Sequence, residues 1–385
     1  MSRLKPKIIR ACTVPNSIGF VTGMIPELLE KFEVGVLASP GKYWEALDKY
    51  GNEVKRLKVA MERQISPWKD CISLWKLIRI FHKERPDIVH SMTPKAGLLC
   101  MIAAWLNRVP IRIHTFTGLV FPTSTGLKQK ILIFTDRLTC ACATHIVPEG
   151  EGVKNDLINY NITKKPLKVL GYGNVQGIDL NRFNPELPEV KAEAGKIRKE
   201  DVFTFVFIGR LVGDKGINEL VSAFTRLNQK YPDTRLILVG RYESRLDPLQ
   251  VETEEEIKNN QAIWASGETP DVRPWLLASD TLVFPSYREG FPNVVIEAGA
   301  MGLPSIVTDI NGSREIIIEG ENGTIIPSKN TQALEEAMER MIVDKHSTEF
   351  MASKARQMIA ERFEQHYVRK CLKEYYEEIL NSRKK

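Results

Sequence analysis

Long hydrophobic runs are missing from this chain. The longest, "GLLCMIAAWL" at residues 97–106, is half of the roughly 20 residues that a membrane-spanning helix requires. No secretory signal is visible, because the first ten residues are basic and lead directly into "IIRACTV", a strand-like stretch. A cytoplasmic protein is therefore expected. Cysteine is scarce and unpatterned: Cys12, Cys71, Cys100, Cys140, Cys142 and Cys371 show no framework spacing and no C-x-x-C. That excludes a disulfide scaffold and argues against a zinc site. No D-x-D pair occurs, so a Mg²⁺ held by paired aspartates is not indicated. Neither an aromatic platform nor a helix-turn-helix pattern is present to suggest nucleic-acid binding.

What is present is enough for two cores. A chain of 385 residues exceeds one ordinary domain. Its charge is divided unevenly. Residues 1–180 hold 26 Lys and Arg against 15 Asp and Glu, whereas residues 181–385 hold 28 against 33. A basic first half points to an anionic partner: a phosphate-bearing substrate, an anionic membrane or nucleic acid.

Strand-like and helix-like segments alternate in both halves, which predicts parallel sheets covered on both faces by helices. In the first half "KIIRACTV" reads as a strand and a helix starts near Gly19. Ser66 is expected to cap a helix whose apolar face is Trp68, Ile72, Trp75, Leu77, Ile78 and Phe81. Strand "DIVH", helix 96–106, strand "IRIHTF", helix 127–140, strand "THIVP" and helix 152–159 follow. The linker is expected at 176–190, between a domain at 1–175 and a second at 191–348, with a helical tail at 349–385 packing back on the first domain. The expected fold class is α/β, two doubly wound Rossmann-like domains facing across a cleft. Ligands in such sheets bind at the carboxyl ends of the strands.

Two segments of the second half carry chemistry. In "YREGFPNVVIEAGAMGLPSIVT", residues 287–308, Gly290 permits an unusual backbone, and the N–H groups of Phe291, Asn293 and Val294, on either side of Pro292, open a helix. Such an end suits a phosphate or diphosphate. Glu289 lies just before it and Glu297 one turn inside. Two carboxylates beside a diphosphate make sense where sugar hydroxyls donate to them; alternatively one faces solvent and the other caps the helix. In "FVFIGRLVGDKGINEL", Gly209, Arg210 and Lys215 follow a strand, where two cations could neutralise a diphosphate leaving group. As surface charges on a loop they would do nothing of the kind.

The order of these motifs resembles the retaining GT-B glycosyltransferases of glycosyltransferase family 4, in the bacterial polysaccharide-synthesis branch. "GRLVGDKG", "ASDTLVFPSYREGFPNVVIEAGAMGLPSIVT", "NGSREIIIEGENGTIIP", "RPDIVHSMTPKAGLL", "HTFTG" and "GIDLNRF" carry the likeness. The resemblance implies that Glu297 accepts hydrogen bonds from the nucleotide ribose and that Glu289 faces the donor sugar. It implies that Arg210, Lys215 and the N–H groups near Phe291–Val294 hold the diphosphate. Segment 264–273, with Val272, occupies the place of the family's base pocket. Two stretches depart from the pattern. "PNSIGF" offers only Gly19 where the family often has two glycines, and "HTFTG" places Thr117 where it often has histidine, with His114 three residues earlier. Thr117 offers a hydrogen bond but no base near neutral pH, and His114 is either its substitute or a core histidine.

Lys95 is a candidate for an acceptor phosphate, and Lys128 and Lys130, set among apolar residues, for an anionic membrane surface. The implied function is transfer of a sugar from a nucleotide-diphosphate donor, expected to be UDP-linked, onto a lipid-diphosphate-linked saccharide at the inner membrane face. Neither cofactor nor metal is expected, and no nucleic-acid partner. A UDP-N-acetylglucosamine 2-epimerase-like isomerase and a non-catalytic sugar-nucleotide-binding protein are the alternatives.

Overall fold

The computed structural model describes residues 5–14, 17–62, 66–243 and 247–383. Pro15 and Asn16 of the "PNSIGF" stretch lie outside the described residues. Two compact units are formed, one by residues 1–177 with 366–385 and the other by 178–365.

The first unit contains β1 (Lys7–Ala11), α1 (Gly19–Thr22), α2 (Ile25–Leu29), β2 (Glu33–Ala38), β3 (Val54–Lys58), α3 (Pro67–Glu84), β4 (Ile88–Met92), α4 (Pro94–Leu106), β5 (Ile111–Phe116), α5 (Gly126–Cys142), β6 (His145–Pro148) and α6 (Glu151–Asn159). Its strands are parallel in the order β3-β2-β1-β4-β5-β6. The second unit contains α7 (Pro188–Ile197), β7 (Phe203–Ile208), α8 (Ile217–Lys230), β8 (Thr234–Val239), α9 (Val251–Asn259), β9 (Ile263–Gly267), α10 (Arg273–Leu277), β10 (Thr281–Phe284), α11 (Asn293–Ala300), β11 (Ser305–Thr308), α12 (Ser313–Ile316), β12 (Gly323–Ile326), α13 (Thr331–Val343) and α14 (Lys345–Phe363). Its order, β12-β11-β10-β7-β8-β9, repeats the same topology. In each sheet the strand order reverses beside the first strand, at β1/β4 and at β7/β10. Crevices outside the carboxyl ends at such points are where these folds bind ligands.

Both faces of each sheet are covered, so central strands are buried along their whole length rather than alternately. β4 is buried at every residue, including His90 and Ser91. These polar groups are satisfied internally. The His90 ring nitrogens lie 2.5 Å from the Tyr376 hydroxyl and 2.7 Å from Thr115 Oγ1.

The helical tail is divided. α14 packs on α11 in the second unit, whereas α15 (Gln365–Ser382) buries Val368, Leu372, Tyr375, Tyr376 and Ile379 against the first. Glu364, between them, bridges to Ile178.

One helix departs from its expected orientation. Ser66 precedes α3 without a side-chain cap; its N–H instead donates to Asp70, 3.2 Å away. The face turned to the sheet is Ser73, Leu77, Phe81 and Glu84, while Trp68, Ile72 and Trp75 are exposed. Glu84 tolerates burial because Lys7 and Lys55 both pair with it.

Candidate active site

The motifs of the second unit meet at its strand-order reversal. β7 delivers Gly209 and Arg210, and the turn before α8 delivers Lys215. β10 delivers Ser286 to Gly290 immediately ahead of α11. Gly216 has φ +72°, and a Cβ there would collide with the Pro285 carbonyl oxygen, so only glycine lets these two loops touch. Gly312 (φ +75°) is pressed in the same way against the backbone of Gly290 and Phe291, which fixes the turn from a third loop.

Within this frame Lys215 and Glu289 form an ion pair, both largely shielded from solvent. The buried Ser286 hydroxyl donates to the same Glu289 oxygen at 2.8 Å. The lysine ammonium also lies 5.4 Å from the centre of the Phe284 ring. Arg210 is not drawn into this cluster. Its guanidinium pairs with Glu243 at 2.6 Å and is more exposed.

α11 starts at Asn293 behind Pro292, with no side-chain cap and no acidic residue in its first turn. Pro292 has no N–H, so it sets the backbone angle and contributes no donor. Phe291 and Pro292 are buried, the former edge-on to Phe363, whereas Asn293 and Val294 are half-exposed at the helix start. Glu297, one turn inside, is half-buried. Desolvation pushes its carboxyl up to about 7, opposed by the charge of Arg182. Val272 precedes α10, where Arg273 clasps Asp271 at 2.6 Å and donates to the Arg182 carbonyl oxygen at 2.8 Å.

Several of these residues were not singled out from the sequence. Ser286 was hidden in "VFPSYREG" as an ordinary turn serine, and Arg182 inside "GIDLNRF" as a linker charge. Asp214 was equally anonymous; its carboxylate meets Arg288 at 3.3 Å while its carbonyl receives the Tyr287 N–H at 2.9 Å. Their roles depend on loops distant in sequence, and only the Gly-rich context of each segment hinted at them.

In the first unit, Gly19 opens α1 in the loop after β1 and is exposed. Thr117 directly follows β5 and is half-exposed. His114 lies inside β5 beneath α4. Its Nδ1 is 2.9 Å from Ser91 Oγ, its ring meets Phe116 edge-on, and a Cβ on Gly97 would overlap it. Burial lowers its pKa to about 4. It is a neutral core histidine and cannot substitute for a cleft base. Lys95 is likewise committed, because Asp70 accepts its ammonium at 2.8 Å. Lys128 and Lys130 are exposed on α5. Among the described residues, no helix is long and apolar enough to cross a membrane.

Known proteins match this chain over nearly its whole length. Residues 21–173 match the model of the glycosyl transferase 4-like domain and residues 190–358 that of glycosyl transferases group 1. The chain is 32% identical to the capsular polysaccharide biosynthesis glycosyltransferase CapM of Staphylococcus aureus over 97% of both chains. It is 29% identical to the UDP-Gal:alpha-D-GlcNAc-diphosphoundecaprenol alpha-1,3-galactosyltransferase of Escherichia coli, covering 74% of this chain and 73% of that one. The solved structure of Anabaena Alr3699/HepE in complex with UDP has the same fold, with a TM-score of 0.79 at 18% identity over 97% of this chain and all of that one. The chain belongs to the glycosyl transferases of group 1, the GT-B enzymes of glycosyltransferase family 4.

Proposed function

We propose that this glycosyltransferase moves a sugar from a UDP-sugar to a lipid-diphosphate-linked saccharide during surface-polysaccharide synthesis, with retention of configuration. The observation that carries the reading is the Lys215–Glu289–Ser286 cluster set ahead of the uncapped start of α11. An incoming diphosphate competes with Glu289 for Lys215, so binding exchanges one ion pair for another. Glu289, still held by Ser286, is then freed to face the sugar. The name of the galactosyltransferase relative supports the donor and acceptor classes, and that of CapM the polysaccharide.

In the reaction, the bond between the anomeric carbon and the diphosphate oxygen breaks, and its electron pair leaves on the diphosphate. Lys215, Arg210 and the N–H groups at the start of α11 stabilise that charge. Glu289 stabilises the positive charge developing on the sugar. The acceptor hydroxyl attacks the same face, and its proton passes to the departing phosphate oxygen. Glu297 receives the ribose hydroxyls. Residues 264–273, including Val272, border the base. No metal has a part in this scheme. A lipid-linked acceptor places the enzyme on the inner membrane face, where Lys128 and Lys130 add electrostatic attraction of about 1 kcal/mol each.

Calorimetric titration with UDP-, GDP- and ADP-sugars tests the donor class. The UDP-sugar is expected to bind tightest; preference for a GDP-sugar would overturn the assignment.

A further inference from the structure

We infer that the outer surface of α3, α4 and α5 is a membrane-insertion face, which wedges aromatic and aliphatic side chains between anionic lipids. The inference rests on the proposed lipid-linked acceptor and goes further by naming the surface and its mode of contact.

The sheet fixes the geometry. β4, β5 and β6 are adjacent and parallel, so the crossover helices α3, α4 and α5 lie side by side on one face, with α4 packed between the other two. The Lys95–Asp70 pair joins the first turns of α4 and α3, so these ends are level. Residues three and four apart share one side of a helix. On α3 that outward side is Trp68, Ile72 and Trp75; on α5 it is Leu127, Ile131 and Phe134. Both triplets have the i, i+4, i+7 spacing. Trp68 is 79% exposed, Trp75 56%, Leu127 74% and Phe134 65%. Between them α4 turns out Leu98 and Ile102, half-buried, and Trp105, exposed. Three parallel helices thus carry one apolar surface, although α3 already has a separate buried face toward the sheet.

Charge selects the occupant. α3 flanks its apolar stripe with Lys69, Lys76, Arg79 and Lys83, and α5 does so with Lys128, Lys130 and Arg137, all exposed. The carboxylates of these helices do not answer them. Asp70 is taken by Lys95, and Glu84 is buried against Lys7 and Lys55. Asp136 has its carboxyl pushed up to about 7 by burial. Among the described residues, only Lys69 has an exposed carboxylate partner, Glu62 from the segment before α3. Arg79 lies 4.7 Å from the centre of the Trp75 ring, with its charge at the edge of the apolar stripe. An apolar face rimmed by cations, with tryptophan at its ends, matches the interface of an anionic bilayer. A second copy of this face would oppose lysine to lysine across a two-fold axis, which disfavours self-association there.

The full-length protein is tested with vesicles of phosphatidylcholine, with and without about 30% phosphatidylglycerol, by co-sedimentation and by tryptophan quenching with brominated acyl chains. Wild type is expected to bind the anionic vesicles and to be quenched. The triple variant Trp68→Ser, Trp75→Ser, Phe134→Ser is expected to bind at least 10-fold more weakly and to lose most of the quenching. Its melting temperature and its turnover of a short, water-soluble acceptor should stay unchanged. Undiminished binding by the triple variant, or no quenching of wild type, overturns the insertion face. So does a wild-type dimer that the triple variant dissolves in sedimentation velocity. The two levels fail separately. Vesicle insertion without transfer to any lipid-diphosphate acceptor sinks the acceptor class and leaves the face, whereas transfer in detergent with no affinity for vesicles does the reverse.

Discussion

α8 and α3 are each a long helix laid on a parallel sheet, yet they treat their apolar residues differently. α8 turns Ile217, Leu220, Val221, Phe224 and Leu227 inward and leaves a polar surface. α3 spends two tryptophans and an isoleucine on solvent and seats Ser73 and Glu84 against the sheet. Periodicity alone tells that a helix has an apolar stripe, not which stripe meets the core when there are two. The same contrast runs through the charged groups. In the second unit cations and carboxylates gather at the strand-order reversal, whereas in the first His90 and His114 are sealed inside the sheet.

The sharpest way to break the helix comparison is truncation. Phe224→Ala in α8 should destabilise the second unit by about 3–5 kcal/mol. Trp75→Ala in α3 should change stability by about 0.5 kcal/mol or less, as at ordinary exposed sites. Urea titrations of the two variants measure this; equal losses would mean that Trp75 is packed after all.

Next come the two paired lysines. Lys215→Ala should lower kcat about 10²–10³-fold, the loss expected for one strong transition-state donor. Lys95→Ala, whose charge is neutralised by Asp70, should alter kcat by less than about 10-fold. Steady-state kinetics in the presence of EDTA also tests whether Lys215 and Arg210 replace a metal. Abolition by the chelator and rescue by Mg²⁺ or Mn²⁺ would show that a metal does that work.

The smallest expected effect concerns titration. Glu297 has its pKa raised to about 7, so its uncharged form is favoured in the folded protein. The stability this confers is fully present below the unfolded value near 4.5 and is lost as pH rises through about 7. Donor binding has the opposite sign, because the ionised carboxylate accepts ribose hydrogen bonds more strongly. Affinity for a UDP-sugar should therefore fall as pH drops below about 7. In Glu297→Gln it should be weaker by about 1.5–3 kcal/mol at high pH and flat with pH. His114→Asn should leave the pH profile intact, since that ring is neutral down to about 4. Isothermal titration at several pH values decides between these outcomes.

Much of the fold was legible because strands buried on both faces read as continuous apolar runs, as "FTFVFI" and "TLVF" do for β7 and β10. Edge elements were harder. β3 carries Lys55, Arg56 and Lys58, and β9 leaves Trp264 half in solvent, so neither reads as a buried strand. Break points were also obscured: the apolar spacing of the tail continues through Glu364, where the chain passes from one unit to the other. For the site, glycines and helix starts located Lys215, Glu289 and Glu297. The Lys215–Glu289 pairing and the Ser286 hydrogen bond join residues from different loops, and no local pattern announces them. The status of His114 depended on Gly97 and Ser91 lying above and beside it.

The most direct test is the product itself. A UDP-sugar of α configuration is incubated with a lipid-diphosphate-linked saccharide and EDTA, and the anomeric coupling of the new linkage is read by NMR. The expected result is an α-linked product that forms only when the acceptor is present. A β linkage, or conversion of the sugar nucleotide to its 2-epimer without any acceptor, would contradict retaining transfer.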